Sequence, residues 1–273
     1  MKHLATILLA VGSVLVSGTA VRAGLLNEDL EAYWTLDETS GNFVDLINGN
    51  VGTPQGNPHG DGSNGVIGGA LSLSGSSDYV TVPHDPSIDF GTESFAVSLW
   101  LDGDNVSNDD RFIQKGTYGG SSGGSGKRYE LSYKNNTMRF AVDDDSTKSV
   151  LHTSAAPFLT GDFVHVAAVR DTADGLLKLY ANGTLVDTEP DNTGSISQTE
   201  RLTIANSYLS DQGFAGRLDD VALFGRALMP GEVAFLASGQ SPNQAVVVVP
   251  EPSSVVLAAL GLLGLVWAAR RRR

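Results

Sequence analysis

Apolar and polar residues alternate in short runs along most of the chain. In the run SFAVSLW, Phe95, Val97 and Leu99 alternate with small or polar residues, a period of two that is typical of a strand with one buried face. Asn182-Gly183 separates two such runs and predicts a two-residue hairpin turn. The predicted strands cover residues 31–36, 70–74, 78–82, 94–101, 111–115, 128–133, 137–142, 162–170, 176–181, 184–188, 202–206 and 217–224.

Only residues 228–238 have the pattern of a helix. Many short strands with a single short helix favour an all-β sandwich or barrel. Trp34 and Trp100 lie within predicted strands and are expected to be core residues, and His165 in its apolar strand is expected to be a packed structural residue. We therefore predict one all-β domain over residues 24–245.

The first 23 residues have the organisation of a secretory signal peptide. A basic Lys2 precedes an apolar stretch over residues 4–16, and the small residues Val21 and Ala23 stand before a predicted cut at Gly24. The chain is therefore predicted to be exported, and an N-terminal membrane helix is the alternative interpretation.

The last 28 residues, 246–273, combine three features that point to a membrane. The triplet Pro250-Glu251-Pro252 is followed by an uncharged apolar run over residues 253–269. As a helix this run would be about 25 Å long, close to the roughly 30 Å of a bilayer's hydrocarbon core. A cluster of positive charges ends the chain and is expected to stay on the cytoplasmic side. It consists of Arg270, Arg271, Arg272 and Arg273.

The charge balance restricts the partners of the domain. The net charge is −13, and 30 of the 31 acidic residues lie between the two terminal segments, whereas six of the 18 basic residues lie inside those segments. The domain between these segments is therefore strongly acidic. This charge argues against nucleic acid or anionic surfaces as partners and suits the binding of divalent cations. The sequence has no cysteine, so an exported domain must be held together by its core or by a metal.

Four stretches, in order along the chain, resemble the laminin G-like (concanavalin A-like) jelly-roll domains. They are AYWTLDETSGNFVDLINGNVG (32–52), GVIGGALSLSGSSDYVTVPHDPSIDFGTESFAVSLWL (65–101), FVHVAAVRDTADGLLKLYANGTLVDT (163–188) and GFAGRLDDVALFGRALMPGEVAFL (213–236). The resemblance implies a two-sheet antiparallel jelly-roll sandwich. It departs from the family pattern at Phe163, where a Trp is usual, and in the turn after Asp45, which is shortened.

The resemblance also implies a structural calcium ion near the place where the two ends of the domain meet. The ligands that it implies are Asp45, Asn48 and Asp219, with backbone carbonyls. Alternation along LDDVAL places Asp219 on the same strand face as Val221, which is expected to be the core side, and a carboxylate there needs a partner. An ion pair with Arg217 or Arg226, or a turn-capping role, is the alternative.

The resemblance leaves binding as the expected activity. Aromatic faces and planar polar groups recognise sugars, and the candidate aromatic residues are Tyr118, Tyr129 and Tyr133, with Arg111 or Asn135 near them in sequence. Ordinary packing of these tyrosines is the alternative. We predict a non-catalytic binding or adhesion module, with extracellular polysaccharide as the candidate partner. A purely structural component of the extracellular matrix remains open.

The motifs that an enzyme of this fold would need are missing or out of context. A G-x-S-x-G match at residues 119–123 lies in a glycine-serine run rather than between a strand and a helix. A glycoside hydrolase needs two carboxylates about 5–10 Å apart, and the Glu-x-Asp-x-x-Glu strand of sandwich hydrolases is absent. We predict that the protein is not an enzyme, and a hydrolase or lyase with an unrecognised site is the alternative.

The end of the chain, from the Pro-Glu-Pro triplet to the four arginines, resembles a PEP-CTERM sorting signal. The resemblance implies an exosortase-type enzyme as a partner, which cuts near the triplet. The domain would be anchored in the membrane first and then delivered to the cell surface or the extracellular matrix. A plain single-pass anchor is the alternative.

Overall fold

The computed structural model describes residues 25–75, 77–103, 106–107, 109–117, 126–154, 157–207, 209 and 212–245. The predicted signal peptide and the predicted sorting signal lie outside these residues. Within the described residues, no helix has both the length and the apolar character needed to cross a lipid bilayer.

Strands are the main regular elements of the described chain. They are β1 (Leu30–Trp34), β2 (Phe43–Val44), β3 (Val51–Gln55), β4 (His59–Gly60), β5 (Leu71–Ser74), β6 (Tyr79–Val82), β7 (Phe95–Asp102), β8 (Arg111–Gly116), β9 (Arg128–Lys134), β10 (Thr137–Asp143), β11 (Lys148–Ser154), β12 (Val164–Asp171), β13 (Leu176–Ala181), β14 (Thr184–Pro190), β15 (Leu202–Ile204) and β16 (Ala215–Phe224). In the part of the chain that the structure describes, one α-helix, α1 (Pro230–Leu236), follows the last strand, and one 3-10 turn covers Pro86–Ile88.

The strands form two antiparallel sheets. The first sheet has the order β14-β13-β12-β7-β16-β5-β4, and β1 pairs with β16 beside this path. The second sheet has the order β11-β10-β9-β8-β15-β6-β3-β2. Because neighbours in space are far apart in sequence, the sheets wrap into a jelly-roll sandwich, which confirms the predicted fold class.

The main hydrophobic core lies between the two sheets. Phe95, Val97 and Leu99 of β7 are fully buried there, as their alternation predicts. A second apolar cluster covers the outer face of the first sheet, where Tyr33 and Phe224 pack with residues of α1. The helix therefore shields the β1–β16 pair, where the first and last strands of the domain meet.

Several local predictions are confirmed. Asn182 and Gly183 both have positive φ values, 46° and 79°, as a type I′ hairpin turn requires. Trp34 is fully buried, and its indole N–H donates to the Asn50 carbonyl oxygen at 3.2 Å. His165 is also buried, and burial lowers its pKa to about 3.

The register of β16 differs from the prediction. Its pairing with β7 shifts between Asp219 and Ala222, and Asp220 has a φ of 51°. Leu218 and Val221 both reach the core between the sheets although they are three residues apart. This bulge takes Asp219 off the core-facing alternation, so its predicted placement on the same face as Val221 is wrong. Two aspartates instead occupy the bulge.

Candidate functional site

The bulge of β16 holds Asp219 and Asp220, and the charge of Asp37 acts on both of them. We call these three residues the aspartate bulge. Asp219 is fully buried, and Asp220 is 4% exposed. The Asp219 Oδ2 atom accepts hydrogen bonds from the backbone N–H groups of Val66 at 2.6 Å and Ile67 at 3.3 Å. The loop that contains Val66 and Ile67, about 150 residues earlier in the sequence, therefore closes over β16.

Glycines allow this loop to approach the carboxylates. The Gly69 N–H donates to Asp37 Oδ1 at 2.5 Å. A Cβ atom at Gly65 would overlap the Gly69 carbonyl oxygen and lie 2.6 Å from the Asp219 carboxylate. Gly68 has a φ of 86°, and a Cβ there would lie 2.7 Å from the Asp37 carboxylate. The GVIGG sequence thus forms a cradle that larger residues would fill.

The aspartate bulge holds more negative charge than its hydrogen bonds offset. Burial, and next the charge of Asp37, raise the pKa of Asp219 to about 7. Burial, and next the charge of Asp219, raise the pKa of Asp220 to about 8. Asp219 Oδ1 and Asp220 Oδ2 are buried and find no hydrogen-bond donor in the described part of the chain. These two oxygens can therefore accept a proton or a cation.

Tyr33 connects the aspartate bulge to both ends of the domain. Its hydroxyl donates to Asp220 Oδ1, and the Ser241 hydroxyl donates to the Tyr33 oxygen at 3.3 Å. Tyr33 lies on the first strand, Asp220 on the last strand, and Ser241 beyond the helix. A change of charge at Asp220 therefore acts where the two ends of the domain meet.

Asp45 and Asn48, two of the predicted calcium ligands, have a different role. Asp45 accepts five N–H groups, from the backbones of Tyr33, Ile47, Asn48 and Asn50 and from the Asn50 side chain. A carboxylate has about four lone-pair sites, so none remains for a metal. The Asn48 side chain donates to the Glu31 carbonyl oxygen at 2.8 Å. Asp45 and Asn48 therefore organise the β2–β3 turn. Of the three predicted calcium ligands, only Asp219 has a carboxylate oxygen that accepts no hydrogen bond from a described residue.

Calcium fits the aspartate bulge only with additional ligands. Among the described residues, no group of three or more His, Asp or Glu side chains is placed to hold a metal. Ca²⁺ takes six to eight oxygen ligands, which include backbone carbonyls and waters. The two unpartnered carboxylate oxygens of Asp219 and Asp220 suit such an ion, and the remaining ligands would be carbonyl and water oxygens.

The predicted sugar-binding tyrosines do not form a binding surface. Tyr129 is 2% exposed, lies against the rings of Phe90 and Phe95, and donates its hydroxyl to the Ile88 carbonyl oxygen at 3.3 Å. Tyr133 belongs to the same core. Tyr118 lies outside the described residues. A ring that is packed between two sheets cannot stack on a sugar, so the assignment of Tyr129 and Tyr133 is wrong.

The other side chains of β9 reach the outer face of the second sheet, where they form a charged network. Glu130 is fully buried and ion-paired with Arg128 at 3.2 Å, with Arg111 at 3.6 Å, and with Arg139. Arg128 also pairs with Asp143 at 3.0 Å. We call this outer face of β8–β11 the arginine face. Three guanidinium groups thus surround Glu130 there, and one of them also pairs with Asp143.

Comparison with known proteins agrees with the fold. A family model described as the concanavalin A-like lectin/glucanases superfamily matches residues 74–234, and the PEP-CTERM protein-sorting motif matches residues 248–273. The sorting motif indicates an exported protein that is sorted at the membrane. No curated protein sequence matches the chain.

Solved binding domains share the jelly-roll architecture. The binding domain of Paraclostridial Mosquitocidal Protein 1 has a TM-score of 0.61 at 17% identity, over 78% of this chain and 52% of that chain. The botulinum neurotoxin serotype G binding domain has a TM-score of 0.61 at 15% identity, over 77% of this chain and 50% of that chain. The binding domain of botulinum neurotoxin DC in complex with SialylT has a TM-score of 0.59 at 16% identity, over 79% and 52%. The chain spans about half the length of these structures.

At these identities the structural likeness shows the fold alone. The family match, in contrast, covers more than half of the chain, from β5 to the helix that closes the outer face. With its two antiparallel sheets and its matched sequence, this protein belongs to the concanavalin A-like lectin/glucanases superfamily.

Proposed function

We propose that the protein is an exported, surface-held module that binds extracellular polysaccharide without cleaving it. Three findings support the proposal. The family is one of lectins and glucanases, the chain carries a sorting motif of exported proteins, and the similar solved structures are binding domains of other proteins.

The observation that carries the non-catalytic part of the proposal is the state of the two carboxylates on the arginine face. Hydrolysis of a glycosidic bond by most glycoside hydrolases needs two carboxyl groups that flank the bond to be cut. Glu130 is fully buried beneath three arginines, and Asp143 is 1% exposed and paired with Arg128. Neither carboxylate lines the cavity that opens on this face, whereas Arg111 and Arg139 do.

Binding is tested by affinity electrophoresis of the full-length protein, purified in neutral detergent, through gels that contain one polysaccharide each. We expect at least one extracellular polysaccharide to retard the protein in proportion to its concentration. Bovine serum albumin serves as the control for non-specific retardation. Migration unchanged by every acidic and neutral polysaccharide would reject the binding role and favour a structural component of the matrix.

We also propose that an exosortase-type enzyme processes the sorting signal. Pro250, Glu251 and Pro252 would mark the cleavage region, and the terminal arginines would hold the uncleaved chain on the cytoplasmic side. Intact-mass measurement of the protein from the producing cells should find a species that lacks residues 253–273. Replacement of the triplet by three alanines should keep the tail attached. Full-length mature protein in the membrane of unmodified cells would contradict the processing step and support a single-pass anchor.

We further propose that a structural calcium ion binds at the aspartate bulge, held by Asp219 and Asp220. The ion would neutralise buried charges that are otherwise unpaired, and it would connect the first and last strands through Tyr33. In a chain without cysteine, such an ion supplies the cross-link that a disulfide would otherwise provide.

A further inference from the structure

A cavity of about 200 Å³ opens on the arginine face, beside the edge strand β11. Four strands and a turn supply its polar lining. The polar residues of this basic pocket are Arg111, Lys134, Asn135, Arg139, Lys148 and His152. Arg111 and Asn135, two residues that the sequence singled out as planar polar candidates, are therefore brought together, although the tyrosines near them are not.

The basic pocket concentrates positive charge on an acidic protein. It contains four of the chain's 18 lysines and arginines, and no carboxylate belongs to its lining among the described residues. Two carboxylates that do not line the pocket neutralise part of this positive charge. Asp109 pairs with Lys134 at 2.7 Å, and Glu130 pairs with Arg111 and Arg139. The side chain of Lys148 has no hydrogen bond or ion pair to any residue that the structure describes.

The titration of the pocket residues is consistent with a positive potential. Burial, and next the charges of Arg139 and Arg128, lower the pKa of Lys148 to about 8, although Asp143 acts in the opposite direction. Burial and the charges of Arg139, Lys148 and Lys134 lower the pKa of His152. Cations that lower each other's pKa values in this way are stabilised when an anion enters.

The geometry of the donors restricts the ligand. Arg111 and Arg139 are 1% and 4% exposed, so packing holds their guanidinium groups in place. Planar guanidinium groups match the oxygens of carboxylate and sulfate groups. Lys148 and His152 are exposed at the rim of the pocket, where an ammonium group can reach the same anion. The pocket therefore suits a single anionic group that projects from a larger ligand.

We propose that the basic pocket binds a carboxylate or sulfate group carried by an acidic extracellular polysaccharide. The inference rests on the polysaccharide-binding function proposed above and names the chemistry of its ligand. The overall negative charge of the domain repels polyanions, so only a polymer whose anionic groups reach this pocket is bound. The pocket thus provides selectivity as well as affinity.

The test compares the affinity of the full-length protein in neutral detergent for three polymers: polygalacturonate, dextran sulfate and uncharged dextran. Polyphosphate serves as a polyanion without sugar. We expect the protein to bind at least one acidic polysaccharide and to bind dextran and polyphosphate at least about tenfold more weakly. Lys148→Gln should weaken binding of the acidic polysaccharide about tenfold, because it removes a charged hydrogen-bond donor. Its melting temperature should match that of the unmodified protein, because the Lys148 side chain has no hydrogen bond or ion pair to a described residue.

Lys178→Gln is the matched control, since it removes the same charge from the first sheet, where Lys178 pairs with Asp171 and Asp174. It should change the affinity less than about twofold. Equal losses in the two variants, or equal binding of polyphosphate, would overturn the inference because overall charge would then explain the binding. Binding of dextran alone would overturn the inference and leave the proposed function intact. Failure of every polysaccharide would reject both.

Discussion

Calcium should raise the melting temperature of the full-length protein by about 5–10 °C over its value in EDTA. An ion at a hundredfold excess over its dissociation constant stabilises the folded state by about 2.7 kcal/mol. A domain of this size shifts by about 2–4 °C for each kcal/mol. Differential scanning fluorimetry in EDTA, in Ca²⁺ and in Mg²⁺ measures the shift. An identical melting temperature in all three would contradict the calcium proposal.

Asp220→Asn should abolish most of this calcium response. Asparagine tolerates the left-handed backbone at φ 51°, and its side-chain oxygen can still accept the Tyr33 hydroxyl. In EDTA the variant should be at least as stable as the unmodified protein, because it removes one of two neighbouring buried carboxylates. In calcium it should be less stable, because a charged ligand is lost.

Asp45→Asn is the matched control for this variant. Asp45 accepts five N–H groups, so the substitution should lower stability by about 1–3 kcal/mol in both EDTA and calcium. The difference between the two conditions should nevertheless be preserved. A calcium response that survives Asp220→Asn and disappears in Asp45→Asn would assign the ion to the β2–β3 turn instead.

Stability in EDTA should fall as the pH rises from about 5 to about 8. In the folded state burial and mutual repulsion raise the pKa of Asp219 to about 7 and of Asp220 to about 8 from an ordinary value of 3.8. The folded state therefore keeps protons in this range that the unfolded state has already lost, and stability decreases as these protons are removed. Calcium competes with the same protons, so its stabilising effect should grow with pH. Thermal unfolding at pH 5 and pH 8, with and without calcium, measures both trends.

Replacement of Arg170 by methionine should cause the largest loss of stability. Arg170 is 1% exposed, and its guanidinium pairs with Asp191 at 2.7 Å. It also donates to the carbonyl oxygens of Gly91, Thr193 and Gly194 and to the Thr193 hydroxyl. Removal of one partner of a buried ion pair costs about 3–5 kcal/mol, so we expect the melting temperature to fall by about 6–20 °C.

Lys178→Met is the control for this prediction. Lys178 lies on the neighbouring strand β13 and pairs with Asp171 and Asp174 in a partly exposed position. Such a surface pair contributes about 0–1 kcal/mol. Urea unfolding of the two variants compares them directly. A loss in Arg170→Met no larger than that in Lys178→Met would show that the 191–194 segment is not held by the arginine.

Alternation of side chains predicts strands where one face is apolar, and it fails elsewhere. The β7 strand follows the pattern in full, since Phe95, Val97 and Leu99 are buried in the core. The β11 strand was missed because its buried positions include Ser149 and Thr153. The two-residue strands β2 and β4 are too short to have a period. The missed β11 strand supplies one wall of the basic pocket.

The sequence identifies Asp219 as a carboxylate that needs a partner, but it does not identify the bulge around it. One extra residue in β16 reverses the faces on either side of it, and no local pattern marks that bulge, so Asp219 was placed on the wrong face. The buried positions of Tyr129 and Tyr133 have a signal in the sequence, because RYELSYK alternates tyrosine and leucine with charged or polar residues. That alternation indicates that the tyrosines face the core and that Arg128 and Glu130 face outward.

The most direct test of binding without cleavage is the chain length of a bound polysaccharide. The polymer with the highest affinity is incubated with the full-length protein for a day, and its molecular mass is measured by light scattering after the protein has been removed. We expect an unchanged mass distribution and no new reducing or unsaturated ends. A shortened polymer, with the cleavage lost in Glu130→Gln or Asp143→Asn, would contradict the account and identify the protein as an enzyme.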